Sequence, residues 1–150
     1  MIRKILVFLL VVLLIIQFFR PAKNVSISAQ PNALAKVYPV PENVDTIMTH
    51  ACYDCHTNNS RYPWYFNVQP SAWFLANHIR DGKRHLNFDE FMTYPKDKQD
   101  DKLKDLIDMV DADDMPLSSY TWMHADARLN KEQKAAITAW AKDLRKKINK

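Results

Sequence analysis

Two cysteines, Cys52 and Cys55, and the histidine that follows them, His56, form the group of residues in this chain whose types and spacing most directly imply chemistry. The run is Cys52-Tyr53-Asp54-Cys55-His56, and the chain has no other cysteine. A helical turn separates the two thiols, so both sulfurs reach the same side. The imidazole one step further on is placed to ligate a metal. A C-x-x-C-H run of this kind is the attachment signature of c-type haem: the thiols add across the two porphyrin vinyl groups and the histidine becomes the proximal iron ligand.

Three other chemistries compete for the same residues. A thioredoxin-like dithiol wants a strand before the motif and a βαβ surround. Here Val44, Ile47, Met48 and Ala51 precede it at helical spacing. A structural zinc site needs four ligands, commonly as two pairs, and only Cys52, Cys55, His56 and His50 are local. A disulfide between cysteines three apart on a helix is strained and leaves His56 without a role. The motif therefore reads as a site for one covalently bound haem c.

A second axial ligand is sought elsewhere in the chain. Met115-Pro116 follows a helical stretch within a short Asp-rich segment, and a methionine there is less easily explained as core. A thioether ligand stabilises ferrous iron and raises the potential. Met115 is thus expected at the distal iron position, with His78 as the alternative. Met123 is a weaker methionine candidate. His50 lies too close to the proximal side, His85 and His124 read as loop positions, and Met92 and Met109 fall in helical segments. The loop after the motif carries Arg61, Tyr62, Trp64 and Tyr65, which combine aromatic bulk with donors. Arg61, Trp64 and Tyr65 are expected to wall the haem pocket, and Arg84 is a further candidate for a propionate.

These residues must be positioned by helices. Gly82 is the only glycine among 150 residues, and an all-β domain would need more of them in its turns. The fold class expected is all-α: a cytochrome c-like helical domain around one covalent haem, behind an N-terminal transmembrane anchor. The first helix of the domain should cover about 42–56 and end in the motif. The second should start near Pro70 and end at Gly82 as a C′ residue. Asn87-Phe88-Asp89-Glu90 has the form of a capping box opening a short third helix. The fourth should cover about 96–110, with Leu103, Leu106, Ile107 and Val110 as one stripe. The last should start at an Asn130 N-cap with Gln133 at N3, burying Ile137, Trp140, Ala141, Leu144 and Ile148. The first and last of these helices are expected to cross, with Trp140 near Ile47 and Met48.

Ahead of the domain, Ile5 to Phe19 is apolar except for Gln17, between Arg3-Lys4 and Arg20-Pro21. Residues 1–23 read as an uncleaved signal anchor, with Ser26-Ile27-Ser28 as the tolerable cleavage site if one is used. Residues 24–41, with Pro31, Pro39 and Pro41, read as a linker, and 42–150 as the haem-binding domain. The net charge of +4 misleads: Arg3, Lys4, Arg20 and Lys23 supply it, and from Asn24 onward 17 basic residues face 17 acidic ones. A domain with no basic excess gives no reason to expect nucleic acid as a partner.

The chain resembles the haem-binding domain family of small membrane-anchored bacterial c-type cytochromes, Bacteroidetes-type among them. The resemblance rests on Cys52-Tyr53-Asp54-Cys55-His56-Thr57-Asn58, Tyr62-Pro63-Trp64-Tyr65, Pro70-Ser71-Ala72-Trp73, His78 through Asn87-Phe88, Met115-Pro116, and Leu129-Asn130 through Trp140. It implies covalent haem on Cys52 and Cys55 with His56 proximal. The expected role is electron transfer with His/Met ligation, not catalysis. The expected setting is the periplasmic side of a bacterial inner membrane, single-pass, with redox proteins as partners and the membrane engaged through the N-terminal helix. A haem-based sensor or ligand-binding module with a labile or bis-His sixth ligand is the competing function.

Overall fold

The computed structural model describes residues 1–150. It is all-helical, with eight α-helices and three 3₁₀ turns, and its one β-bridge joins Val25 to Asn59. The helices are α1 (Ile2–Ile16), α2 (Leu34–Val37), α3 (Glu42–Ala51), α4 (Tyr53–His56), α5 (Ser71–His85), α6 (Lys96–Asp111), α7 (Ser118–Met123) and α8 (Lys131–Ile148).

The core is built where the sequence stripes meet. On α6, Leu103, Ile107 and Val110 are buried; on α8, Ile137, Ala141, Leu144 and Ile148 are. These two helices pack against each other, and α3 also contacts α8. Trp140 and Ile47 both pack against the cluster that holds Met48. Outside the core, Arg145 makes a two-pronged pair with Asp100 at 2.8 Å per contact, tying α8 to α6. Asn130 caps α8 as expected: its side chain accepts from the Gln133 amide at 2.8 Å and Gln133 reciprocates at 2.9 Å. Replacing Asn130 by Ala is expected to cost about 1 kcal/mol, read as a lower urea midpoint with an unchanged slope.

Several expectations are corrected. The helix expected over 42–56 breaks at Cys52, whose φ of −129° lies outside the helical range, so the motif forms its own short helix, α4. α5 continues past Gly82 to His85, and Gly82 is an interior helical residue. The Asn87 side chain accepts from the Asp89 amide rather than from Glu90, and the segment winds as a 3₁₀ turn, Phe88–Thr93. Glu90 accepts instead from the Asn58 side chain.

The N-terminal part differs most. α1 is apolar from Ile5 onward and exposed as far as Ile15, but its 15 residues rise only about 22 Å, short of the ~30 Å hydrocarbon core of a bilayer. No helix of the structure is long and apolar enough to cross a membrane, so the expected transmembrane span is not supported. Residues 24–41, expected as a linker, are packed on the domain. Leu34 is buried in the core, and Asn24 donates to the Thr57 carbonyl and Ser60 hydroxyl while accepting from Lys83. Asn58 donates to Gln30. A polar lock precedes this strap: Gln17 and Gln69 exchange two hydrogen bonds, and the Gln69 and Trp73 side chains both donate to the Phe19 carbonyl.

Candidate functional site

The motif is held from three sides. Cys52 closes α3, its amide bonding to the Met48 carbonyl, and packs against the core cluster. Asp54, only 9% exposed, anchors α4 from below. It accepts from the Arg61 amide at 3.0 Å, from both ends of the Arg61 guanidinium at 3.1 and 3.2 Å, and from the Tyr120 hydroxyl at 2.8 Å. Burial and this carboxylate push the Tyr120 phenol well up, keeping it a donor. The third side is α5. Gly82 lies so close to the motif that a Cβ built there would stand 2.7 Å from the Cys55 carbonyl oxygen.

His56 is oriented by the chain that leaves α5. Its Nδ1–H donates to the Leu86 carbonyl at 2.8 Å, and its ring stands edge-on to Phe88. A donor bond at Nδ1 leaves Nε2 as the lone-pair nitrogen, the form a metal ligand needs. Burial lowers the His56 pKa, which keeps the ring neutral.

The two thiols are unpaired. Burial raises Cys52 to about 12 and Cys55 to about 11. A redox dithiol works through a thiolate of lowered pKa, so these thiols are poorly suited to disulfide exchange. No group of three or more His, Cys, Asp or Glu side chains converges to hold a metal ion.

Cys55 opens onto a groove of about 390 Å³ walled by α5, α7 and the aromatic loop. Tyr65, Phe74, Leu75, Leu117, Tyr120, Trp122 and Met123 make most of its surface, and His78 and two serines are its other lining residues. An apolar cleft of this size and character suits a flat, mostly apolar cofactor. Of the motif residues only Cys55 lines the groove: the helix breaks at Cys52, which packs against the core cluster, and His56 is not a lining residue, so the expectation that both sulfurs reach the same side is corrected. Two unpaired thiols and an imidazole with Nδ1 already occupied fit haem as donor chemistry, with the apolar groove beside Cys55 as the space.

The residues singled out in the sequence separate into two groups. Cys55, Tyr65 and the alternative ligand His78 line the groove together. The His78 Nδ1–H is bonded to the Phe74 carbonyl at 2.8 Å, so its Nε2 is also the lone-pair nitrogen. Met115 is half-buried after α6 and is not one of the lining residues; Met123 is. Arg61 is committed to Asp54 and to the Thr49 carbonyl, beside a second cleft of about 330 Å³. Trp64 is 73% exposed, outside the groove, and Arg84 pairs with Asp81 on the surface.

Sequence reasoning missed Asp54 and Tyr120 and set His124 aside as a loop position. The His124 ring stacks on Tyr120, with centroids 4.3 Å apart, and its Nε2 is hydrogen-bonded to Tyr65 Oη at 2.7 Å. This links α7 to the aromatic loop across the groove. Asp54→Ala would leave the Arg61 guanidinium and Tyr120 hydroxyl without their shared acceptor. The expected loss is about 1–3 kcal/mol, read by thermal unfolding, whereas Asp81→Ala at the surface is expected to change stability by less than about 0.5 kcal/mol.

A family model described as haem-binding domain matches residues 11–143. Neither a curated protein nor a solved structure matches the chain. The matched span begins within α1 and takes in the motif, the groove and most of α8, and on this coverage the chain belongs to the haem-binding domain family.

Proposed function

We propose that this chain is a monohaem c-type cytochrome, an electron carrier rather than an enzyme. In this reading Cys52 and Cys55 bond the porphyrin and His56 is the proximal ligand. The observation that carries it is the His56 Nδ1–Leu86 carbonyl bond in a motif whose two thiols are unpaired and whose Cys55 lines an apolar groove. When bound, haem supplies a reversible one-electron iron couple. The chain's own part is to fix and orient: Leu86 sets the imidazole tautomer, Asp54 and Gly82 fix the motif helix, and Phe74, Leu75, Leu117 and Met123 give the groove an apolar lining. The apolar helix α1 engages a bilayer on the outer face of a bacterial plasma membrane, the compartment in which haem is attached covalently, and redox proteins are the partners.

His/Met ligation is the axial arrangement we favour. Met115 is the methionine singled out by its Met-Pro context, two residues before Leu117 of the groove wall; Met123 and His78 are the candidates the groove itself presents. The test is the ferric visible spectrum of the full chain, produced with haem-maturation machinery, beside Met115→Ala, Met123→Ala and His78→Ala. A weak far-red sulfur-to-iron band, lost in one methionine variant, is the expected result and names the ligand. A low-spin spectrum without that band, altered by His78→Ala, replaces it with bis-His ligation.

A second reading, a haem-based sensor or ligand-binding module, is favoured by the Tyr65–His124–Tyr120 cluster, which sets polar groups at the wall of the groove. Rapid carbon monoxide binding by the reduced protein supports the sensor; failure to bind supports the carrier.

A further inference from the structure

Haem in the groove would account for the exposure of Phe74, Trp122 and Met123, which line it. It would not account for Phe18, Phe19, Trp64, Val68 and Trp73, which do not, and which are 87%, 63%, 73%, 46% and 37% exposed. Hydrogen bonds and sequence adjacency link these five. The Trp73 indole N–H donates to the Phe19 carbonyl at 2.7 Å, and Gln69, next to Val68, is locked to Gln17. Trp64 stands edge-on to Tyr65, whose carbonyl accepts from Ser71 at the start of α5. The patch thus begins where α1 ends and runs to the edge of the groove.

Its charge is one-sided. No Asp or Glu occurs in residues 1–41 or in 55–80, although the chain has 17 of them. Arg20 follows Phe19 directly and Lys23 comes three residues later, lying over the Tyr62 ring, 5.4 Å from its centroid. Tryptophan is favoured at the membrane–water interface, where its ring is half apolar and its N–H finds a partner. Lysine and arginine at the same level are drawn to anionic headgroups.

We propose that this aromatic face, Phe18, Phe19, Trp64, Val68 and Trp73, is a second membrane-contacting surface that seats on an anionic phospholipid headgroup layer and holds the edge of the groove against it. It rests on the reading that α1 engages a bilayer. The lock at Gln17, Gln69 and Trp73 is the device: it fixes α1 on α5, so that inserting the helix brings the domain down on this face. The groove then opens beside the membrane, in reach of membrane-embedded electron donors or acceptors.

The test is photo-crosslinking of the haem-loaded chain of residues 1–150 in vesicles of phosphatidylglycerol and phosphatidylcholine carrying a diazirine near the glycerol backbone. Adducts on peptides containing Phe18–Phe19, Trp64 and Trp73, alongside those on α1, are the expected result. Their yield should be comparable with that of α1 and fall to roughly a tenth in Phe18→Ser/Trp64→Ser, with the visible spectrum unchanged as the check on folding. Adducts confined to residues 2–16 overturn the proposal and leave the α1 reading intact. No adduct on any peptide overturns both. Should the variant lose its haem spectrum, the adduct map of the unmodified protein alone decides.

Discussion

Replacing Cys52 and Cys55 together by serine is expected to convert a haem that acidified acetone leaves on the chain into one that it extracts completely. Mass spectrometry of the denatured protein reads the same result, as loss of the mass of one haem. The expectation follows from the proposal of covalent attachment, and the two sites are not equivalent. Cys55 faces the groove, so its serine variant loses a thioether and little packing. Cys52 packs against the core cluster of α3, α6 and α8. A hydroxyl placed there is partly desolvated among apolar side chains. Its variant should lose about 1–2 kcal/mol of stability in addition to the thioether. Haem that resists extraction in the double variant would sink covalent attachment through these residues. Equal stability of the two single variants would show that Cys52 is not embedded as the fold places it.

How much of this was legible in the sequence depends on how far each determinant reaches along the chain. The α6 and α8 stripes and the Asn130–Gln133 capping box are short-range patterns, and each appears where the residues put it; the motif, read as the end of one helix, sits instead on a break at Cys52. The supports of the motif are long-range. Asp54 meets Tyr120 across 66 residues, and Gln17 meets Gln69 across 52. No periodicity announces such pairs. The strap from Asn24 to Pro41 reads as a linker because its prolines and small polar residues suit one; only its partners, Thr57, Ser60, Asn58 and Lys83, make it part of the domain. Arg61 shows the converse error of reasoning from residue type. A cation beside a haem motif suggests a propionate partner, but a buried carboxylate seven residues away binds it first. The helix α1 marks a limit of composition: its apolar run reads as an anchor, and its length falls short of a span.

Gly82→Ala is expected to damage the site without touching any residue proposed to hold haem. Glycine inside a helix ordinarily invites replacement, since alanine there is favoured by about 0.5–1 kcal/mol. Here the added methyl would stand 2.7 Å from the Cys55 carbonyl oxygen and 3.1 Å from Cys55 Cβ. The closest atom is backbone, so no side-chain rotation relieves the contact, and α5 must move away from α4. Overpacking of that kind costs about 1–3 kcal/mol, which outweighs the helical gain and leaves a net loss of roughly 0.5–2 kcal/mol. The displacement also reaches the imidazole, because Leu86, whose carbonyl accepts from His56, follows α5 directly. Stability and haem loading should therefore fall together in Gly82→Ala, measured by urea unfolding and by the absorbance ratio of haem to protein. Arg80→Ala, on an exposed turn of the same helix, should change stability by less than about 0.5 kcal/mol and leave loading intact. A Gly82→Ala protein as stable and as fully loaded as the parent would show that α5 is free to stand off from the motif, and the close approach at Cys55 would then not be what sets the site.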